Sequence, residues 1–220
     1  MIKVIILDLD GPLLDGRFRH YQCYKDILEK RGYTPMPREK YWEMKRNRQD
    51  RKQLLAVTGA EAIYDCFLTE WLDRIESMEM LALDKIQPSA ITKLQEWRNS
   101  GILILLATMR QHPKRLHKQL HDLGIKSFMD QIVVCDYRKG GIGKALAVKD
   151  VVPDLSPKCS LWVGDTEVDF KAAKFLGCPV WLIYQGIRSK AYLASLQTYF
   201  LSESIADIDI QKLQLPLYRC

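Results

Sequence analysis

Neither a metal-thiolate site nor a secreted scaffold can be read from this sequence. The six cysteines (Cys23, Cys66, Cys135, Cys159, Cys178 and Cys220) contain no C-x-x-C pair and no grouping with histidine at zinc-ligand spacing, and 220 residues exceed the usual disulfide-held scaffold. Reduced thiols in a cytoplasmic protein are the expectation. Long apolar runs are missing too. The N-terminal run extends only from Val4 to Leu7 before Asp8 and Asp10 interrupt it, which argues against a signal peptide, a membrane span or a membrane partner. There is no internal repeat, low-complexity tract or RNP-type motif, so nucleic acid is an unexpected partner. With 47% apolar and 27% charged residues, the chain has the composition of a folded protein.

The length suffices for one α/β domain with a smaller second one. Apolar runs at 2–7, 102–107, 132–135, 160–163 and 180–183 read as buried strands of a parallel sheet. Helical patterns separate the later runs. One opens at Pro88 with Ile91, Leu94 and Trp97 and stops at Gly101. Another runs from Pro113 through Leu116, Leu120 and Leu123 to Gly124, and a third follows Asp169 with Ala172, Ala173 and Phe175 before Gly177. This alternation predicts an α/β fold with a doubly wound parallel sheet, whose ligands sit beyond the carboxyl ends of the strands. Between the first strand and Pro88 the spacings are helical only (Tyr21, Tyr24, Leu28, then Ile63, Phe67, Trp71, Ile75). Such a stretch is too long for a crossover and too apolar for a disordered loop, and we read residues 15–86 as an inserted α-helical cap on a core of 1–14 and 87–220. Within it, positions 38–52 hold seven Lys/Arg against three acids, part of a net charge of +6. That run is either a phosphate-attracting surface or a solvated helical face.

Four groups of polar residues fall at or just beyond the ends of the expected strands. Asp8 and Asp10, in D-L-D-G, are carboxylates that would repel each other unless a cation or donors compensate, a role that suits magnesium. Thr108 follows the strand ending at Ala107 and could grip a phosphoryl oxygen. In K-G-G-I-G-K, an ammonium from Lys144 or, second choice, Lys139 could offset phosphoryl charge. In G-D-T-E-V-D, Asp165 and Asp169 stand at i and i+4, on one side of a helical turn and able to face one ion. Each group alone also fits a cap, turn or surface role.

In order and spacing these motifs resemble the haloacid dehalogenase-like (HAD) hydrolase superfamily, over nearly the whole chain. The likeness is to its group with an inserted helical cap, which includes phosphoglycolate phosphatases and β-phosphoglucomutase. The resemblance implies a Rossmann-like core, Mg2+, and a phosphatase acting on a small phosphorylated molecule. It implies Asp8 as nucleophile, Asp10 as general acid and base, Thr108 and Lys144 as phosphate-binding groups, and Asp8, Asp10, Asp165 and Asp169 as the metal site. The family's dehalogenases lack the second aspartate, so Asp10 favours phosphoryl chemistry. Two features depart from the family pattern: the lysine lacks the common K-P form, and Met109-Arg110-Gln111 replaces the frequent Asn after Thr or Ser. Arg46, Arg48 and Lys52 are the candidates for contacts to an acidic substrate. The alternatives are a phosphosugar mutase, a non-catalytic phosphate- or partner-binding module, and a nucleic-acid end phosphatase.

Overall fold

Burial along the central strands is nearly continuous, as in a pleated sheet covered on both faces, and successive residues pack into opposite clusters. The computed structural model describes residues 1–214; Cys220 and the end of the expected core segment lie outside the described residues. The strands are β1 (Val4–Leu7), β2 (Leu14–Asp15), β3 (Lys85–Ile86), β4 (Leu103–Thr108), β5 (Gln131–Val134), β6 (Ser160–Gly164), β7 (Val180–Ile183) and β8 (Phe200–Ser202). Six of them form a parallel sheet in the order β5-β4-β1-β6-β7-β8. The order reverses at β1, the kind of switch point where an α/β sheet opens a crevice.

The helices are α1 (Arg17–Glu29), α2 (Arg38–Arg46), α3 (Arg51–Ala56), α4 (Tyr64–Arg74), α5 (Met78–Leu81), α6 (Ala90–Asn99), α7 (Pro113–Asp122), α8 (Gly140–Val151), α9 (Glu167–Leu176) and α10 (Lys190–Ala194). On one face of the sheet, Ile5, Leu7, Ile104 and Leu106 join a cluster with Leu94 and Trp97 of α6 and Leu116 and Leu120 of α7. On the other, Ile6, Leu105, Ala107 and Trp162 join Ala145 and Val148 of α8 and Ala172 and Ala173 of α9. The fold is therefore the expected doubly wound α/β sheet.

Two helices differ in phase from the sequence reading. On α6, Ile91 is exposed while Lys93 is buried, its stem covered and its ammonium donating to the carbonyl of Ile208 at 3.2 Å. On α9, Phe175 is exposed because the small pair Ala172 and Ala173 faces the sheet.

The insertion between β1 and α6 is helical and carries its own apolar cluster, in which Tyr24 stacks on Tyr41 at 4.6 Å and Phe67 on Trp71 at 5.7 Å. Its two ends are joined by an antiparallel ladder that pairs Leu14 with Ile86 and Asp15 with Lys85. Neither this ladder nor β8 was expected, since strands of two or three residues carry no usable periodicity. Cys23, Cys66, Cys135 and Cys178 are free thiols, whereas Cys159 is disulfide-bonded where a thiol was expected. Among the described residues, no helix is long and apolar enough to cross a membrane.

Candidate active site

Three neighbouring strands end on the polar residues singled out above. Asp8 leaves β1, Thr108 closes β4 and Asp165 follows the last residue of β6, while α8 and α9 present Lys144 and Asp169 to the same crevice. Lys144 is only 2% exposed in its side chain, and its ammonium donates to Asp8 Oδ1 at 2.6 Å and Asp169 Oδ1 at 2.8 Å. Asp169 is held further by the Trp162 indole N–H at 3.1 Å and by the Thr166 hydroxyl at 2.6 Å, part of the capping box that starts α9. Lys139, the other lysine considered, is exposed.

Oxygens of Asp8, Asp165 and Asp169 lie within 4.8 Å of one another. Burial pushes the Asp8 carboxyl up to about 7, with Asp169 and Asp10 adding to the shift and Lys144 opposing it. Burial and the Asp8 and Asp169 charges likewise raise Asp165 well above the usual carboxylate range. One ammonium thus faces three crowded carboxyl groups, and Asp165 Oδ1 is buried without a hydrogen-bond partner although Oδ2 accepts from the Ile187 N–H at 2.5 Å. An all-oxygen donor set with an orphaned carboxylate oxygen suits a hard divalent cation.

The D-x-D-G glycine has a direct part in this arrangement. Gly11 has φ +96°, and a Cβ there would overlap the Asp165 carboxylate, which Gly186 confines from another side. Gly11→Ala should therefore displace Asp165, so that Mg2+ raises the Tm of the variant less than that of wild type, at a stability cost of ~1–3 kcal/mol. Thermal melts of wild type and variant with and without Mg2+ check this.

Asp10 is oriented differently from the sequence expectation. Its carboxylate accepts from Arg110 Nε at 2.7 Å and NH2 at 2.8 Å, and from Arg19 NH2 at 2.5 Å. Both arginines also grip the buried Asp84. Burial works against ionisation of Asp10, but Arg110 and then Arg19 overcome it and hold the group well below the usual carboxylate range. Its side chain is not among the converging carboxylates, because the two guanidinium groups occupy its oxygens. Arg110, noted in the sequence only as a departure from the pattern, is thus the partner of the expected acid/base residue.

A cavity of about 470 Å³ connects these groups to the insertion, which contributes His20, Arg51, Tyr64 and Trp71 to its wall. Arg46, Arg48 and Lys52 do not line it. Arg46 donates to the carbonyls of Tyr184 and Arg188, and Arg48 pairs with Glu167 at 2.9 Å. Lys52 lies over the Tyr64 ring at 4.9 Å. Arg46, the last residue of α2, and Arg48, two residues beyond it, reach the sheet domain, so those side chains fasten the insertion to the core instead of lining this cavity. Sequence reasoning missed Arg19, His20 and Arg51. Arg51 belonged to the basic run and starts α3 directly before the chosen Lys52, yet Arg51 lines the cavity and Lys52 does not.

His20 is sandwiched beside Trp42 and Trp71. Burial, followed by the charges of Lys45, Arg19, Arg110 and Arg51, lowers its pKa well below the ordinary value, so it stays neutral in the fold. In the unfolded chain the imidazole takes up a proton below about pH 6.5. Its contribution to stability is therefore present above that pH and lost as pH falls. Urea unfolding at pH 7 and pH 5 should show a loss of about 1–2 kcal/mol in wild type beyond that in His20→Gln.

Residues 2–177 match the family model described as haloacid dehalogenase-like hydrolase. A curated relative, phosphoglycolate phosphatase of Rhodobacter capsulatus, is 23% identical over 193 residues, which span 86% of this chain and 87% of the relative. Among solved structures, a predicted phosphatase from Clostridium acetobutylicum superimposes with a TM-score of 0.77 at 15% identity, covering 98% of this chain and 100% of that one. A predicted phosphoglycolate phosphatase from Haemophilus somnus gives 0.75 at 17% identity, covering 96% and 97%. At such identities the two structures speak for the fold alone.

Proposed function

Because this chain belongs to the haloacid dehalogenase-like hydrolases, we propose that it is a Mg2+-dependent phosphatase that hydrolyses a small phosphomonoester through an aspartyl phosphate on Asp8. The observation that carries the reading is Asp8 itself. Its side chain is 13% exposed, lines the cavity and touches a buried ammonium, with two further carboxylates close by.

Asp8, Asp165 and Asp169 would hold the metal, and Mg2+ when bound supplies positive charge that lets an anionic nucleophile approach an anionic phosphoryl group. Lys144 orients Asp8 and shares its charge, and Thr108, buried at the cavity wall, offers its hydroxyl to a phosphoryl oxygen. An Asp8 oxygen attacks phosphorus, the bond from phosphorus to the ester oxygen breaks, and the departing alcohol takes a proton from Asp10. A water then attacks phosphorus, Asp10 accepts its proton, and inorganic phosphate leaves with Asp8 restored. Arg110 and Arg19 keep Asp10 in the ionised form that serves the second step. The first step needs a protonated Asp10, which the negative charge of bound substrate favours by offsetting those arginines.

Residues 15–86 act as a cap over this chemistry, excluding water and reading the leaving group. The test is release of inorganic phosphate from a panel of small phosphate esters with and without Mg2+. Release that requires Mg2+ is expected. No release from any ester at any Mg2+ concentration would overturn the reading.

A further inference from the structure

The loop that follows β7 touches the carboxylate cluster on one side and the insertion on the other. Tyr184 and Gln185 still extend the sheet, donating their N–H groups to the carbonyls of Ser202 and Glu203 at 2.9 and 2.8 Å. Gly186, Ile187 and Arg188 make no backbone–backbone hydrogen bond among the described residues. The Ile187 N–H instead reaches Asp165 Oδ2 at 2.5 Å, and Gly186 packs so closely that a Cβ there would overlap the same carboxylate. With Oδ2 held in this way, the partnerless Oδ1 is the oxygen left for a cation.

A three-residue stretch without a ladder is free to drift, and the Asp165 carboxylate would drift with it. The insertion supplies the restraint. Arg46, half-buried at the end of α2, uses one guanidinium nitrogen, NH2, to donate to the carbonyls of both Tyr184 and Arg188, the latter at 3.3 Å. That nitrogen ties together the two ends of a segment with Ile187 inside it. The backbone continues the contact: the Ser189 N–H donates to the Arg46 carbonyl at 2.9 Å, and Arg188 NH1 to the Lys45 carbonyl at 3.3 Å. Arg188 also grips Glu167, two residues beyond Asp165, through Nε at 2.8 Å and NH2 at 3.0 Å. The insertion and the start of α9 thus hold the same loop from opposite sides.

We propose that Arg46 is a positioning residue for the metal site: by clamping the loop at 184 and 188, it keeps the Ile187 N–H where it holds Asp165 ready for Mg2+. This rests on the metal reading of the three carboxylates and deepens it. Arg46 touches neither the cation nor the substrate. It acts on neutral carbonyls, so what it contributes is order in the loop before the ion arrives, and a site ordered in advance binds more tightly than one that must be ordered by its ligand. The Mg2+ site is complete only while the end of α2 lies on the core.

Calorimetric Mg2+ titrations of metal-free protein, paired with hydrogen exchange of the peptide spanning 184–189, test this without turnover. Arg46→Met should weaken Mg2+ binding by about 10-fold, the lower end of the loss usual when a group supporting a metal's ligand is removed, and should speed exchange of the Ile187 amide. Arg46→Lys should lose about 2- to 5-fold, because an ammonium keeps the charge but not the planar fork, and it carries the test alone if Arg46→Met does not fold. Arg74→Met is the control. Arg74 pairs with Asp26 at 2.9 Å inside the insertion, so its loss loosens that lobe while leaving Arg46 in place, and Mg2+ affinity should stay within about twofold of wild type. Unchanged Mg2+ affinity in both Arg46 variants, or an equal loss in Arg74→Met, overturns the positioning role. A wild type that binds no Mg2+ overturns it together with the metal site, whereas failed phosphate release with Mg2+ binding intact strikes the phosphatase reading alone.

Discussion

Asp8→Asn should abolish phosphate release, by a factor on the order of 10^5 or more, while the protein stays folded. The amide is nearly isosteric, still offers an oxygen to Lys144, and leaves Lys144 its second partner in Asp169. What disappears is the anionic oxygen that would bond to phosphorus, and removing a nucleophile typically costs this much because the remaining groups have nothing to activate. Single-turnover assays with a phosphate ester, alongside circular dichroism and thermal melts, measure both halves. A folded Asp8→Asn protein that turns over at the wild-type rate would take the nucleophile's role from Asp8.

Lys144→Met should damage both stability and activity. The ammonium is buried between Asp8 and Asp169, with Asp165 in the same carboxylate group. Deleting one member of a buried ion pair costs about 3–5 kcal/mol because the charges left behind lose their partner. Urea unfolding should show a loss of that size, and Mg2+ should recover part of it by supplying positive charge at the same carboxylates. Activity should fall at least about 100-fold, the range seen when one preorganised charge-stabilising group is removed. Lys139→Met provides the contrast: an exposed side chain should change stability by less than about 0.5 kcal/mol and leave turnover intact. If instead the Lys139 variant lost turnover and the Lys144 variant kept it, the phosphate-side lysine would have to be reassigned.

The readable parts of this molecule were those fixed by local sequence. Strands of four or more apolar residues announce themselves, and a polar residue placed directly after one must emerge at the sheet's carboxyl edge. Asp8, Thr108 and Asp165 could be located by that rule, and Asp169 by its i, i+4 spacing from Asp165. Lys144 was separable from Lys139 only through its place one turn into α8, where helix packing turns it inward.

What stayed hidden depended on how helices are rotated and which lobe they meet. Seven basic residues between positions 38 and 52 look alike in sequence, yet Arg46 and Arg48 reach the core while Arg51 turns to the cavity. No periodicity distinguishes them, since α2 and α3 are separated by a short turn that resets the phase. The hold of Arg110 and Arg19 on Asp10 joins positions 100 and 9 residues away. Spacing along the chain carries no trace of such a pairing.

The short ladder between β2 and β3 makes the lid a removable part. Asp15 and Lys85 stand directly opposite in an antiparallel pair, so their Cα atoms are about 5 Å apart. A two-residue Asn-Gly turn bridges such a gap in ordinary hairpins. Deleting the intervening helices and splicing in that turn would yield a miniature whose catalytic edge lies open to solvent, a direct way to compare bare chemistry with chemistry under a roof.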